Sequence, residues 1–258
     1  MLHVRDMKIN ERISLSKEGT FNFSRYTEKI LLQLVVKLLR LPFPSFSGYI
    51  TTGATEANIY ALWLAREWAL SKIHSSEKAT WLIPKNTHYS ISKALAILGI
   101  LNSNSHIIKH VELDALGRAR AEELQKIISD VRVEGENPII LVLTAMTTEY
   151  GLIDPITETD AFLIKNSFGN VFFHIDAAFS GFLLPYVEGY ENFFKLPSIS
   201  SIALDFHKNL GGPVGSGAVI TCGGLEQYAE VKASYLSEGA DFTLTGSRKG
   251  SDALAVWG

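Results

Sequence analysis

Short apolar runs alternate with helix-patterned stretches along almost the whole chain, and that alternation limits the folds open to it. Residues 79–83, 106–111, 139–143, 171–175, 198–208 and 217–221 read as strands. Between them, residues 56–72, 90–98, 121–131, 159–166 and 225–235 carry helical patterning. Upstream, Ile30, Leu31, Leu34, Val35, Leu38 and Leu39 mark one face of a further helix, which Pro42 and Pro44 end. Parallel strands need long crossovers, so this order predicts an α/β fold. Its sheet is mainly parallel and doubly wound, with helices on both faces and ligand sites at the C-terminal ends of strands. The chain has 258 residues, 47% of them hydrophobic, enough for a large α/β core. We divide it into an N-terminal helical segment, 1–45, and a large domain, 46–258.

Three segments carry chemistry. The run Ser201-Ile202-Ala203-Leu204-Asp205-Phe206-His207-Lys208 delivers a His-Lys pair where an apolar strand stops, and Gly211, Gly212, Pro213, Gly215 and Gly217 turn the backbone just beyond. A lysine lifted there can reach a pocket. Partial desolvation favours its neutral amine, the form that condenses with an aldehyde. Upstream, Thr51-Thr52-Gly53-Ala54-Thr55-Glu56-Ala57-Asn58 opens a helix. Gly53 permits a tight turn, Thr52 or Thr55 can cap, and free N–H groups beside hydroxyls suit a phosphate. The string has neither the Gly-Lys-Ser/Thr of a nucleotide-binding P-loop nor dinucleotide-type glycine spacing. Between the two, Val171-Phe172-Phe173-His174-Ile175-Asp176-Ala177-Ala178 ends a buried strand on an acid. A buried carboxylate needs a partner. Loop amides would serve, and so would a cationic ring nitrogen, for which the small Ala177 and Ala178 leave room.

Phosphate cradle, carboxylate and lysine, in that order, are the parts that hold pyridoxal phosphate. On these three motifs the chain resembles the group II pyridoxal-phosphate-dependent amino-acid decarboxylases, from about Phe21 to Trp257. It is most similar to the archaeal tyrosine/aspartate branch, and histidine and serine decarboxylases share much of the wording. The family patterns T-S-G-G-T-E-A-N, H-x-D-A-A and S-I-x-x-D-x-H-K match Thr51 to Asn58, His174 to Ala178 and Ser201 to Lys208. The resemblance implies a fold-type-I large domain in which Lys208 anchors the cofactor. Asp176 would pair with its ring nitrogen, and Gly53, Ala54, Thr55 and His207 would contribute to its site. His88, in Thr87-His88-Tyr89-Ser90-Ile91-Ser92-Lys93-Ala94, would stack on the ring opposite Ala178. Thr148, in the segment from Thr144 to Asp154, would lie near the ring oxygen or Asp176. Ser247, in Leu244-Thr245-Gly246-Ser247-Arg248, would reach the phosphate of a neighbouring subunit, which implies a homodimer.

The activity implied is decarboxylation of an L-amino acid, tyrosine or aspartate first, to a primary amine and carbon dioxide. His207 and the tyrosines are open as proton donors. Two other functions stay open: an aldehyde-lyase of the sphingosine-phosphate-lyase type, and a non-catalytic remnant that binds cofactor or a partner. The remnant has a motive in the family pattern, whose C-terminal small domain and N-terminal closing segment have no evident counterpart here. Departures from that pattern include Ala54 in place of a second loop glycine, Met146 in place of a glycine near the ring, and Gly211-Gly212-Pro213-Val214 after Asn209.

Other classes find no support. Net charge is −3, so there is no electrostatic case for nucleic acid or a membrane surface. No apolar run reaches the roughly 18 residues of a membrane span, and Met1 to Asp6 opens no signal peptide, so a cytoplasmic location is expected. Cys222 is the only cysteine and reads as a small core residue; no internal disulfide is possible. His106, His110, Glu112 and Asp114 cluster in sequence, but nothing in their spacing encloses a metal, and none is expected.

Overall fold

A computed structural model describes residues 22–74, 77–234, 240–246 and 248–257. The segment 1–21, Tyr235 and Ser247 lie outside these described residues.

The core is a seven-stranded sheet of β1 (Phe46–Thr51), β2 (Ala79–Pro84), β3 (His106–Val111), β4 (Ile139–Thr144), β5 (Val171–Asp176), β6 (Ile199–Asp205) and β7 (Gly217–Cys222). Its order is β1-β7-β6-β5-β4-β2-β3. β7 pairs antiparallel with both β1 and β6, and every other pairing is parallel. Six strands therefore point one way, as the sequence pattern predicts, and β7 alone runs back. Fully buried β2 and β4, built from Leu, Ile, Val and Trp, are the continuous apolar runs that a sheet covered on both faces requires.

Helices cover both faces. On one lie α2 (Ala54–Leu70) and α3 (Tyr89–Ile97), where Tyr60, Leu64, Trp68 and Leu95 pack on Trp81, Ile140, Phe172 and Val219. On the other lie α1 (Asn22–Leu39), α4 (Ala121–Glu134) and α5 (Ile156–Lys165). There Leu32, Leu39, Leu124, Ile128 and Leu163 meet Leu141, Phe173, Ile202 and Ile220. Each such side chain removed from water is worth about 1.5–3 kcal/mol before entropy is charged against it.

Several elements differ from the sequence expectations. β6 stops at Asp205, so Lys208 is not at a strand end. The Phe206 N–H makes a last ladder-type bond to the Ser216 carbonyl, while the Phe206 carbonyl turns to accept the Leu210 and Gly212 N–H groups, and α6 (Phe206–Asn209) forms one helical turn that carries the lysine. The 225–235 helix is a 3₁₀ turn only, Leu225–Ala229. After it, β8 (Val231–Lys232) pairs antiparallel with β9 (Ala240–Asp241). β1 and α7 (Gly250–Trp257) carry no clear periodic signal in the sequence. α7 packs on α1, where Ala253 joins the core and Arg248, just before it, pairs with Glu28 of α1.

Candidate active site

The C-terminal ends of β1, β2, β4, β5 and β6 share one edge of the sheet, and the three sequence motifs meet there. Thr144 ends β4 directly opposite Asp176 at the end of β5. Gly217 sits in register between Asp205 of β6 and Thr51 of β1. A Cβ at Gly217 would come within 2.8 Å of both the Asp205 carboxylate and the Gly53 carbonyl carbon. Only glycine lets the loop before α2 lie against the lysine segment.

Two cavities open at this edge and share His88, Ala178 and Lys208. One, of about 480 Å³, is lined by Asp176, Thr144, Thr147, Thr148, Met146 and Phe179 among others. The other, of about 590 Å³, is lined by Gly53, Ala54, Thr55, Asp205, His207 and Thr245 among others. Lys208, Asp176, His88, Thr148 and Ala178 thus stand on one wall system, and Gly53, Ala54, Thr55 and His207 on the adjoining one. Ser247 lies outside the described residues, three positions from the cavity-lining Leu244.

Asp176 is buried and has protein partners. Its Oδ2 accepts from Asn58 Nδ2 at 2.8 Å and its Oδ1 from the Ala178 N–H at 3.1 Å. Asn58 reaches it from α2, one turn inside the helix. The Asn58 Oδ1 lies 2.9 Å from His174 Nε2, and His174 Nδ1 lies 2.8 Å from the Ser201 hydroxyl. His174 is fully buried, and burial pushes its pKa down to about 4, so it is neutral at physiological pH.

The lysine end has a different character. Lys208 Nζ is 3.4 Å from Asp205 Oδ2, so its ammonium has a carboxylate counter-ion rather than an apolar surround. The Asp205 Oδ1 accepts the Ala54 N–H at 2.6 Å, capping α2 from 151 positions away in sequence. This corrects the expected threonine cap: Gly53 is the N-cap residue, at φ 133°, and no side chain of its own caps the helix. Thr52 donates through N–H and hydroxyl to Glu56 instead. Burial raises the Asp205 pKa, opposed by Lys208, His207 and the Ala54 N–H. His207 Nδ1 donates to the Ser216 carbonyl at 2.9 Å, which leaves Nε2 facing Asp205 Oδ2 at 3.7 Å.

His88 begins α3. Its Nδ1 lies 2.8 Å from the Ser90 hydroxyl and accepts the Ser90 N–H at 3.3 Å, and burial lowers its pKa. Met146 departs from the family's glycine at a position where the backbone needs one, at φ 75°.

Among the described residues, no three His, Cys, Asp or Glu side chains are arranged to hold a metal. His106 packs edge-on against Trp81, Glu112 pairs with Lys85, and Asp114 pairs with Arg118.

An α/β edge that gathers a lysine, a buried acid and a helix N-terminus suits a cofactor-dependent class of protein. The comparisons give it a family. The conserved-domain model of the pyridoxal-dependent decarboxylases matches residues 24–257, and the chain belongs to that family. It is 34% identical over 250 residues to a probable L-tyrosine/L-aspartate decarboxylase of Methanothermobacter thermautotrophicus, covering 95% of this chain and 63% of that one. It is 33% identical over 247 residues to a tryptophan decarboxylase of Clostridium sporogenes, covering 93% and 56%. Among solved structures, the sphingosine-1-phosphate lyase Bpss2021 of Burkholderia pseudomallei superposes with a TM-score of 0.74 at 23% identity, covering 91% of this chain and 54% of that one. That likeness concerns the fold. The chain spans 56–63% of the length of these two curated relatives.

The residues present fit pyridoxal phosphate. Thr144 Oγ1, buried on the cavity wall opposite Asp176, has no hydrogen-bond partner, and neither has Asn86 Oδ1 on the same wall. Polar atoms left so are costly unless a ligand meets them. In the first turn of α2 the Ala54 N–H is taken by Asp205 and the Ala57 N–H by the Gly53 carbonyl; those of Thr55 and Glu56 have no intrahelical acceptor, and both residues line the second cavity.

Sequence reasoning names Asn58, His174 and Asp205 inside motifs without giving them work, and passes over Ser90, Ser201 and Thr144 as contacts. Asn58 had a signal: a buried polar residue on the core side of an otherwise apolar helix face, among Ala54, Ala57 and Ala61.

Proposed function

We propose that this chain binds pyridoxal phosphate and decarboxylates an L-amino acid to a primary amine and carbon dioxide. The observation that carries the reading is the meeting of Lys208, Asp176 and the α2 N-terminus around two joined cavities. When bound, the cofactor supplies an electron sink for the carbon that loses its carboxylate.

The protein's own groups do the rest. Lys208 offers the amine that anchors the aldehyde. Asp176, held by Asn58 and the Ala178 N–H, keeps one lone-pair-rich edge for a proton on the ring nitrogen. That charge is fixed before reaction, so it stabilises the transition state without reorganising. His88 and Ala178 would hold the flat ring, Thr148 would lie near its oxygen or Asp176, and Gly53, Ala54, Thr55 and His207 would frame the phosphate. Burial lowers the His88 pKa and so favours the neutral ring, which suits a residue set against an aromatic face. We also assign Ser247 to the phosphate of a partner subunit in a homodimer, and residues 46–258 to the cofactor domain, with 1–45 an N-terminal segment.

Tyrosine and aspartate are the first substrates to test, on the names of the relatives. The lining favours the aromatic one: Lys208 is the only Lys or Arg among the described residues lining either cavity, so no second Lys or Arg stands there for a side-chain carboxylate. A screen of tyrosine, aspartate, tryptophan, glutamate, histidine and serine against the cofactor-loaded chain, reading carbon dioxide and amine, tests the activity. Aldehyde formation from a phosphorylated amino alcohol would instead favour the lyase reading. Cofactor binding with no turnover on any of them would favour a non-catalytic role. Mixing Ser247→Ala with Lys208→Ala subunits tests the dimer: restored activity places Ser247 across the interface, and none refutes it.

A further inference from the structure

The buried network behind Asp176 has a direction. Asn58 donates both Nδ2 hydrogens, one to Asp176 Oδ2 at 2.8 Å and one to the Ser90 hydroxyl at 2.9 Å. Turning the amide over would aim its oxygen at the Asp176 carboxylate, so the carboxylate decides its orientation. Asn58 Oδ1 is then an acceptor, and His174 must meet it with Nε2–H. His174 Nδ1 is left to accept from the Ser201 hydroxyl. At the other end, the Ser90 oxygen already accepts from Asn58, and its own proton goes to His88 Nδ1. The Ser90 N–H points at the same nitrogen. His88 therefore carries its proton on Nε2.

Every bond in the chain Ser201–His174–Asn58–Ser90–His88 follows from one carboxylate. Asn58, Ser90, His174 and Ser201 are fully buried, so water does not offer alternatives. Of the three side-chain hydrogen bonds that Asn58 makes, the one to Asp176 reaches a cavity-lining residue; it acts on His88 through Ser90.

We propose that Asn58 is the positioning residue that couples the two sides of the ring site: it orders Asp176 and, through Ser90, sets which nitrogen of His88 carries the proton. This rests on the decarboxylase reading for its consequence in turnover, but its structural content is independent of that reading.

The test begins on wild-type, cofactor-free chain by ¹⁵N-resolved NMR of the imidazoles. Both His88 and His174 should show the Nε2–H form; an Nδ1–H form at either overturns the proposal. Ser90→Ala removes the hydroxyl that links Asn58 to His88 and leaves the backbone N–H of residue 90 on His88 Nδ1. The Nε2–H share of the His88 population should then fall while His174 keeps its own tautomer; an unmoved His88 spectrum would show that the backbone N–H alone sets it, and that result also overturns the proposal. Asn58→Asp keeps the shape but sets a second carboxylate against Asp176, so the pair must share a proton. In the cofactor-loaded chain kcat should fall about tenfold or more, the usual size of a lost outer-shell partner, with KM changed less than about threefold. Unchanged kcat in a folded Asn58→Asp protein counts against the proposal. If this variant does not fold, the wild-type and Ser90→Ala spectra decide. A chain with no turnover on any substrate sinks the decarboxylase reading and leaves the tautomer result standing.

Discussion

The two ends of the site hold their acids in opposite ways. Asp176 sits in a closed set of neutral donors, Asn58 and a backbone N–H, with a fully buried neutral histidine behind them. Asp205 sits among Lys208, the His207 ring and the positive end of α2, at a cavity mouth where Lys208 and His207 keep about a quarter of their side-chain surface exposed. The first arrangement is rigid, because each buried donor has one acceptor and no water competes. The second is more adjustable on one side only: Asp205 is buried, but its partners Lys208 and His207 are partly solvated and can move at modest cost. A ring nitrogen needs a fixed partner. An amine that must join and leave an aldehyde, beside an anion site, needs an environment that yields.

The largest effects should come from the two acids' functional partners. Lys208→Ala should abolish turnover and leave no borohydride-fixed cofactor on the chain; peptide mapping that finds the label on another lysine removes Lys208 from its role. Asp176→Asn should retain the fold and lose about a hundredfold or more in kcat, since the ring nitrogen loses its charged partner. Near-normal kcat would show that the closed network serves folding alone.

Acid should break the rigid end first. The folded-state pKa of His174 is depressed, from 6.5 to about 4. A depressed value contributes stability that is complete above pH 6.5 and is lost as pH falls through 4. The size is about 3 kcal/mol, from about 1.4 kcal/mol per unit. Thermal melts of the cofactor-free chain from pH 7 to 4 should show that loss, and His174→Gln should be less stable at pH 7 yet flatter in this window. Parallel slopes for the two proteins would assign the acid sensitivity elsewhere.

At the adjustable end, Asp205→Asn should shift stability by less than about 1 kcal/mol, because the amide oxygen still accepts the Ala54 N–H. It also removes a negative charge from the anion site. Inorganic phosphate and pyridoxal phosphate should bind roughly fivefold tighter, the worth of about 1 kcal/mol of repulsion in a partly solvated site. Affinity that is unchanged or weaker would mean Asp205 helps hold the anion. The smallest effect concerns Met146. Its left-handed backbone costs about 1 kcal/mol for a side-chain-bearing residue. Met146→Gly should be neutral to slightly stabilising in a denaturant melt; a loss above about 2 kcal/mol would show that its packing on the core outweighs the strain.

Much of this was open to a reader of the sequence. Apolar runs at 79–83, 139–143 and 171–175 are strands within a residue or so of the expected ends. They read clearly because both faces of β2 and β4 are buried and leave no polar alternation to confuse. The lysine segment read less well. A strand and a single helical turn share the same local residues, and the strand ends at Asp205 because the Phe206 carbonyl turns to the Leu210 and Gly212 N–H groups. β1 was hidden for a similar reason: its partner β7 lies 166 or more positions away, and its register depends on glycines at 48 and 217 fitting under neighbouring backbone.

By itself the sequence determined the parallel α/β class, the order of cradle, acid and lysine, and the family, because hydrophobic periodicity and motif wording are local properties. Tertiary structure alone decided that Asp205 caps α2, that Asn58 turns its amide toward Asp176, and that His174 stays neutral. Each depends on groups more than a hundred positions apart and on the absence of water between them, and neither distance nor dehydration is written in any local run of residues.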